Sequence, residues 1–188
     1  MKILKIGILA AALGVMACGD SSTTPTDTGS LRVMLKDSPF ADAKAVLVTF
    51  TEVSAHLGGG DFQTLAFADS ASSRTCDLKK LTSAQDVLGV GPLAKGHYTE
   101  LRLEVSSARL YFDNASAGSA CAPSIEPPAG AVASLTIPSG TVRLNREFDV
   151  ATGTTTTILL DFDGDTSIVR TGIGSYIMTP VISIVSVE

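Results

Sequence analysis

The chain has 188 residues and a formal charge of −5, with 14 Lys and Arg against 19 Asp and Glu. That balance does not suit a nucleic-acid binder, which needs a basic stripe to displace counterions from phosphate, nor electrostatic adhesion to anionic lipid. Tryptophan is absent and aromatics make up 5%, so Val, Ile, Leu and Thr must build the core, and that composition favours strands over helices.

The first segment carries an address. Met1-Lys2-Ile3-Leu4-Lys5 places two positive charges ahead of the apolar run Ile6 to Met16, and the run ends in Val15-Met16-Ala17-Cys18. This is the charged start, short apolar middle and small-residue cut of a secretory signal. The apolar run, about eleven residues, is too short for a spanning helix, which needs roughly twenty. With the cut directly before Cys18, the pattern resembles the lipobox of bacterial lipoproteins, which implies a signal peptide over 1–17 and a lipid on Cys18. A single acyl chain holds a protein weakly and two or more hold it firmly, so the resemblance implies stable attachment to the bacterial membrane on its extracytoplasmic side. Gly19 stands where an aspartate would favour inner-membrane retention, so a Gram-negative source implies the outer membrane. Losing residues 1–17 removes Lys2 and Lys5 and no acid, which moves the charge from −5 to −7.

Residues 18–29 are polar and bury nothing, which predicts a flexible tether. Roughly 160 residues remain, enough for one domain with a core and not for two. With Cys18 assigned to lipid, Cys76 and Cys121 are left as a pair in an oxidising compartment, and a disulfide is the economical reading. Closing that loop stabilises the fold by about 4 kcal/mol in the chain-entropy model.

From Ser30 the pattern is that of strands. Leu31 to Lys36 alternates and stops at Asp37-Ser38-Pro39. Ala43 to Leu57 is β-branched, with a phase switch near Thr51-Glu52 that predicts a bulge. Gly58-Gly59-Gly60-Asp61 turns the chain into Phe62 to Leu65. Thr82-Ser83-Ala84-Gln85 fits a capping box and predicts one short helix over 84–88. His97 to Val105 places Leu101, Leu103 and Val105 inward and Glu100, Arg102 and Glu104 outward. The phase flips at Ser106-Ser107, and Leu110 and Phe112 continue inward. Residues 113–131 read as a surface loop carrying Cys121. Ser134 to Ile137, Val142 to Val150, Thr154 to Asp163 and Tyr176 to Val187 complete the strands. Arg146 shares an inward phase, so it is a rim residue, the favoured reading, or a buried charge needing a carboxylate. Pro180 cannot donate to a ladder and marks an edge or bulge. The sum is an all-β antiparallel sandwich of about seven to nine strands with at most one short helix.

Several pieces together resemble a known family. They are Lys36-Asp37-Ser38-Pro39, Ala45 to His56, Asp77-Leu78-Lys79-Lys80-Leu81, Leu93 to Leu103, Ile137-Pro138-Ser139-Gly140, Leu160-Asp161-Phe162-Asp163 with Ser167-Ile168-Val169, and Tyr176 to Ile182. Their order and spacing over 30–188 resemble DUF4382, a bacterial lipoprotein domain of unknown function. The Gly96-x-Tyr98-x-x-x-Arg102 piece is also similar to transthyretin-like and carbohydrate-binding-like sandwich modules. The resemblance implies an envelope location and a sandwich, and it implies no catalytic residues.

Residues with chemistry are few. Asp161-Phe162-Asp163-Gly164-Asp165 is the one dense acidic group, and clustered carboxylates suit Ca2+, which takes six to eight oxygens. The spacing departs from the EF-hand, since Gly164 is at position four and Gly172 at position twelve, so an ordinary strand-end turn is the alternative. His56 and His97 lie in separate segments without ligand spacing to the cysteines. No nucleophile elbow, Ser-x-x-Lys or phosphate-binding glycine loop is present. Among the aromatics, Tyr111 falls opposite Leu110 and Phe112 and is the candidate exposed platform for a glycan. The expectation is a non-catalytic, membrane-anchored binding or structural module with an envelope glycan or protein as partner, and calcium or glycan binding as the alternative.

Overall fold

The computed structural model describes residues 27–38 and 40–188. The expected signal peptide, Cys18, most of the expected tether and Pro39 lie outside the described residues. Thr28 and Gly29, expected in the tether, open the first strand.

Strands dominate. In chain order they are β1 (Thr28–Ser38), β2 (Ala45–Leu57), β3 (Phe62–Thr64), β4 (Ala66–Phe67), β5 (Arg74–Asp77), β6 (Asp86–Ala94), β7 (Gly96–Tyr111), β8 (Cys121–Ala122), β9 (Val132–Thr136), β10 (Thr141–Leu144), β11 (Phe148–Val150), β12 (Thr155–Asp163), β13 (Ile168–Gly172), β14 (Ser175–Met178) and β15 (Ile182–Val187). A 3-10 turn spans Leu78–Lys80, and a one-turn helix, α1, spans Gly164–Ser167. Several segments have only two or three residues, because continuous patterns in the sequence are cut where backbone leaves the ladder. Val142 to Val150, for example, divides into β10 and β11, and Asn145, Arg146 and Glu147 stand in solvent between them. Arg146 is therefore at the rim.

Two sheets pack face to face. The five-stranded sheet runs β15-β12-β1-β6-β4, with β1 and β12 parallel. The ten-stranded sheet runs β13-β14-β9-β7-β2-β5-β8, with β3 beside β2 and β10 and β11 beside β7. β7 is its spine. One edge pairs with β2 from Ala45↔Tyr111 to Leu57↔Tyr98, and the other is tiled by β11, β10 and β9 in succession.

The alternation expected of half-buried strands fills the space between the sheets. Leu31, Val33 and Leu35 of β1, and Ile158, Leu160 and Phe162 of β12, are wholly buried against Phe50, Val53, Leu101 and Leu103 of the facing sheet. Each such side chain contributes about 1.5–3 kcal/mol by leaving water. Register slips at Thr49/Phe50 and Phe50/Glu52 put a bulge in β2 next to Ser106 of β7, where both sequence phases switch. A second slip, between Val33 and Met34, lets β6 turn Leu88 into the core. Pro180 falls in the gap between β14 and β15, where the chain passes from one sheet to the other.

The helix expected over 84–88 does not form. Thr82 Oγ1 donates back to the Lys79 carbonyl at 3.1 Å, closing the 3-10 turn, and from Asp86 the chain pairs with β1. Thr82, Ser83, Ala84 and Gln85 are all exposed and offer a helix no face to bury, so cross-strand pairing wins.

The buried arginine is Arg74, 5% exposed. It bonds Asp69, reaches Asp86 Oδ1 at 3.2 Å and the Cys121 carbonyl at 3.4 Å. Asp86 begins β6 and Arg74 begins β5, so this pair ties the two sheets at one edge. Removing one partner of a buried pair leaves an unneutralised charge. Arg74→Ala is therefore expected to cost about 3 kcal/mol in urea unfolding, whereas Arg146→Ala stays within about 0.5 kcal/mol. Equal, small effects at both positions would contradict this tie.

Candidate functional site

The acidic sequence 161–165 sits at one end of the sandwich, where β12 passes into α1. Strand alternation sends its carboxylates outward, and each of the first two has a structural partner. Asp161 Oδ2 accepts from Lys36 Nζ at 2.8 Å across the parallel β1–β12 pair, and its Oδ1 is 3.5 Å from Ser38 Oγ. Asp163 caps α1, accepting from the Thr166 N–H at 2.9 Å. Asp165 is exposed on α1. The three are neighbours in sequence, but the turn does not converge them. Among the described residues no group of three or more His, Cys, Asp or Glu is arranged to hold a metal ion. His56 Nδ1 meets Thr99 Oγ1 at 2.9 Å, and His97 Nδ1 meets Asp149 Oδ1 at 2.9 Å, both as strand residues.

A fourth carboxylate at this end points the other way. Asp37 precedes Ser38 on β1 and faces the interior, with its Oδ1 accepting from the Gly164 N–H at 3.2 Å and its Oδ2 buried without a partner among the described residues. Burial pushes the Asp37 carboxyl up to about 8. The Asp161 and Asp163 charges add to the rise, and the Gly164 N–H and Lys79 oppose it.

The second candidate lies on the outer face of the ten-stranded sheet. Residues 113–131 leave β7, cross that face and return into β9. They are fastened at several points. Cys121 is disulfide-bonded to Cys76. Ser116 Oγ donates to Asp77 Oδ2 at 2.6 Å, and Asp113 and Asn114 bond the Ala131 N–H and the Ala129 carbonyl near the loop's end. Between this segment and the sheet runs a groove of about 180 Å³. Leu47 and Tyr111 form its apolar floor. Ser124, Ile125 and Pro127 form its wall. Thr75, Thr49 and Ser107 lie in register across β5, β2 and β7, the two threonine hydroxyls 3.0 Å apart. Arg109 stands beside them, exposed.

Tyr111 thus faces outward, as its strand phase requires, but it is not an exposed platform. It is only 3% accessible, packed with Ala45 and Leu47 under Ile125. The overlying loop is what the phase of a strand cannot show. Phe62 on β3 is half-buried, and the Arg102 guanidinium already covers its ring at 3.6 Å. Sequence pattern alone does not pick out the groove's polar residues. Their one signal is the phase flip at Ser106-Ser107, which sends Ser107, Arg109 and Tyr111 to one face.

The raised Asp37 group sets a pH dependence. With a folded value near 8 against 3.8 in the unfolded chain, the native state holds the proton more tightly between those limits. Its contribution is complete below about pH 4 and is lost as pH rises through about 8. Asp37→Asn, which keeps an acceptor for Gly164, is expected to gain on the natural chain from pH 5 to about pH 8 in urea midpoint and to level off above that. A constant difference would contradict the burial of the charge.

Searches of curated proteins and of solved structures give no match to this chain. A family model, the domain of unknown function DUF4382, matches residues 28–180. That span runs from the first residue of β1 into the link between β14 and β15, and the chain belongs to the DUF4382 family.

Proposed function

We propose that this protein is a lipoprotein of the bacterial cell envelope, anchored through Cys18, whose sandwich is a non-catalytic module that binds through the groove on its outer face. The observation that carries the reading is the Cys76–Cys121 bond. Disulfides persist in oxidising compartments and are rare in the cytosol, which agrees with export by a signal peptide over 1–17. The same bond fixes the loop that walls the groove, so one covalent link serves both location and site. Export through a signal ending before Cys18 puts the sandwich on a short tether outside the cytoplasm, at the outer membrane in a Gram-negative cell.

Between a glycan and calcium, the groove favours the glycan. Hydroxyls and one cation line it, whereas Asp161 and Asp163 are engaged by Lys36 and the α1 backbone. Kinship with carbohydrate-binding-like or transthyretin-like sandwiches belongs to the same proposal.

Cell fractionation of the natural chain and Cys18→Ser tests the anchor. The natural chain is expected in the membrane fraction with its leader removed. Cys18→Ser is expected to leave that fraction. Recovery of both from the cytosol with Met1 retained would overturn the proposal.

A further inference from the structure

The protein is acidic, yet its groove is not. Among the described residues no carboxylate lines it, and the charge there is the Arg109 guanidinium. Among the described residues Arg109 makes no ion pair, while Arg74 and Arg102 both have carboxylate partners. Glu126, between the wall residues Ile125 and Pro127, is exposed and does not line the groove, and Asp77 on the same sheet face pairs with Leu47 across the ladder. It is wholly buried and already accepts from the Val46 and Lys79 amides and from Ser116. A net-negative surface therefore carries at this depression, as at the one beside Arg143 and Arg146, an open donor fork that matches a carboxylate, and here a row of hydroxyls stands beside the fork.

The other walls narrow the ligand. Thr75, Thr49 and Ser107 make a line of hydroxyls across three strands, the two threonine hydroxyls hydrogen-bonded to each other at 3.0 Å. Arg109 succeeds Ser107 on the same face of β7, about 7 Å further along. Leu47, Tyr111, Ile125 and Pro127 supply apolar surface around them. A ligand matching all three features has a carboxylate at one end, hydroxyls along one side and an apolar C–H face. At about 180 Å³ the groove is below the ~300–1,000 Å³ of ordinary small-molecule sites, a size that suits a single ring.

We propose that this groove binds a single carboxylate-bearing sugar ring of the hexuronate class, as a terminal residue. Arg109 clamps the carboxylate, and the Thr49, Thr75 and Ser107 hydroxyls bond the ring hydroxyls. The assignment rests on the groove being the binding surface, and it adds the ligand's charge and size. Binding is expected to weaken with salt, because the guanidinium is exposed and its attraction is screened.

Saturation-transfer NMR on the full chain in a sugar-free detergent tests it, with methyl β-D-glucuronide, methyl β-D-glucoside and acetate as probes. The glucuronide is expected to bind, and the glucoside and acetate each about tenfold more weakly or worse. Arg109→Ala, at an exposed position, is expected to weaken glucuronide binding at least about tenfold with the near-ultraviolet spectrum unchanged. Thr49→Val weakens the glucuronide and leaves acetate alone. Acetate binding as well as the glucuronide would reduce the site to an anion contact and overturn the sugar. Equal glucoside and glucuronide binding, indifferent to Arg109→Ala, would overturn the carboxylate while the groove reading stands. Silence from all three probes would overturn the assignment, with the anchor still judged separately by fractionation.

Discussion

Two adjacent residues on β5 hold the outer face of this molecule together. Strand alternation sends the Cys76 side chain into the core and the Asp77 side chain out of it. Cys76 bonds covalently to Cys121, while Asp77 accepts from the amides of Val46 and Lys79 and from the Ser116 hydroxyl, and its own N–H donates to the Ala120 carbonyl at 2.7 Å. One loop is thereby gripped from both sides of a single strand. An unpaired carboxylate at full burial would be strongly unfavourable. Asp77 avoids that penalty only while the loop and the 3-10 turn are both in place, so the fold of this edge and the position of the loop are one event.

That grip gives the outer face a fixed shape. Without residues 113–131, the outer face of β5, β2 and β7 would be a flat sheet bearing Leu47 and Tyr111 in solvent. With them, the apolar pair is covered and a groove remains beside it, where the backbone of three paired strands sets the spacing of the polar groups. Sites built on rigid strands need little reorganisation to bind, which suits recognition more than conformational switching. Cys121 also lies within reach of Arg74, and its N–H donates to Asp86, so the loop anchor shares atoms with the tie between the sheets.

Much of the sandwich is legible in the sequence because its strands obey a period of two. The inward sets on β1, β7 and β12 are the ones that alternation assigns, and the phase switches near Thr51 and at Ser106 are real bulges. The pairing of Cys76 with Cys121 is legible by elimination. The misreadings share one cause: local pattern is silent about what lies across space. The helix over 84–88 loses to pairing with β1, a partner about fifty residues upstream. Tyr111 faces outward as its phase requires, but its cover comes from Ile125, on a loop that no periodicity describes. Arg74 carries no strand signal of burial, because its partners Asp69 and Asp86 come from separate segments.

The claim on which the rest turns is that the loop is clamped and the groove is therefore permanent. Amide hydrogen exchange over 113–131, read before and after reduction of the disulfide, tests it most directly. With the bond intact, the Cys121 and Ala131 amides, which donate to Asp86 and Asp113, are expected to exchange slowly, and reduction is expected to release the loop before the β2–β7 ladder opens. Exchange of the whole loop at unprotected rates in the oxidised protein would contradict it.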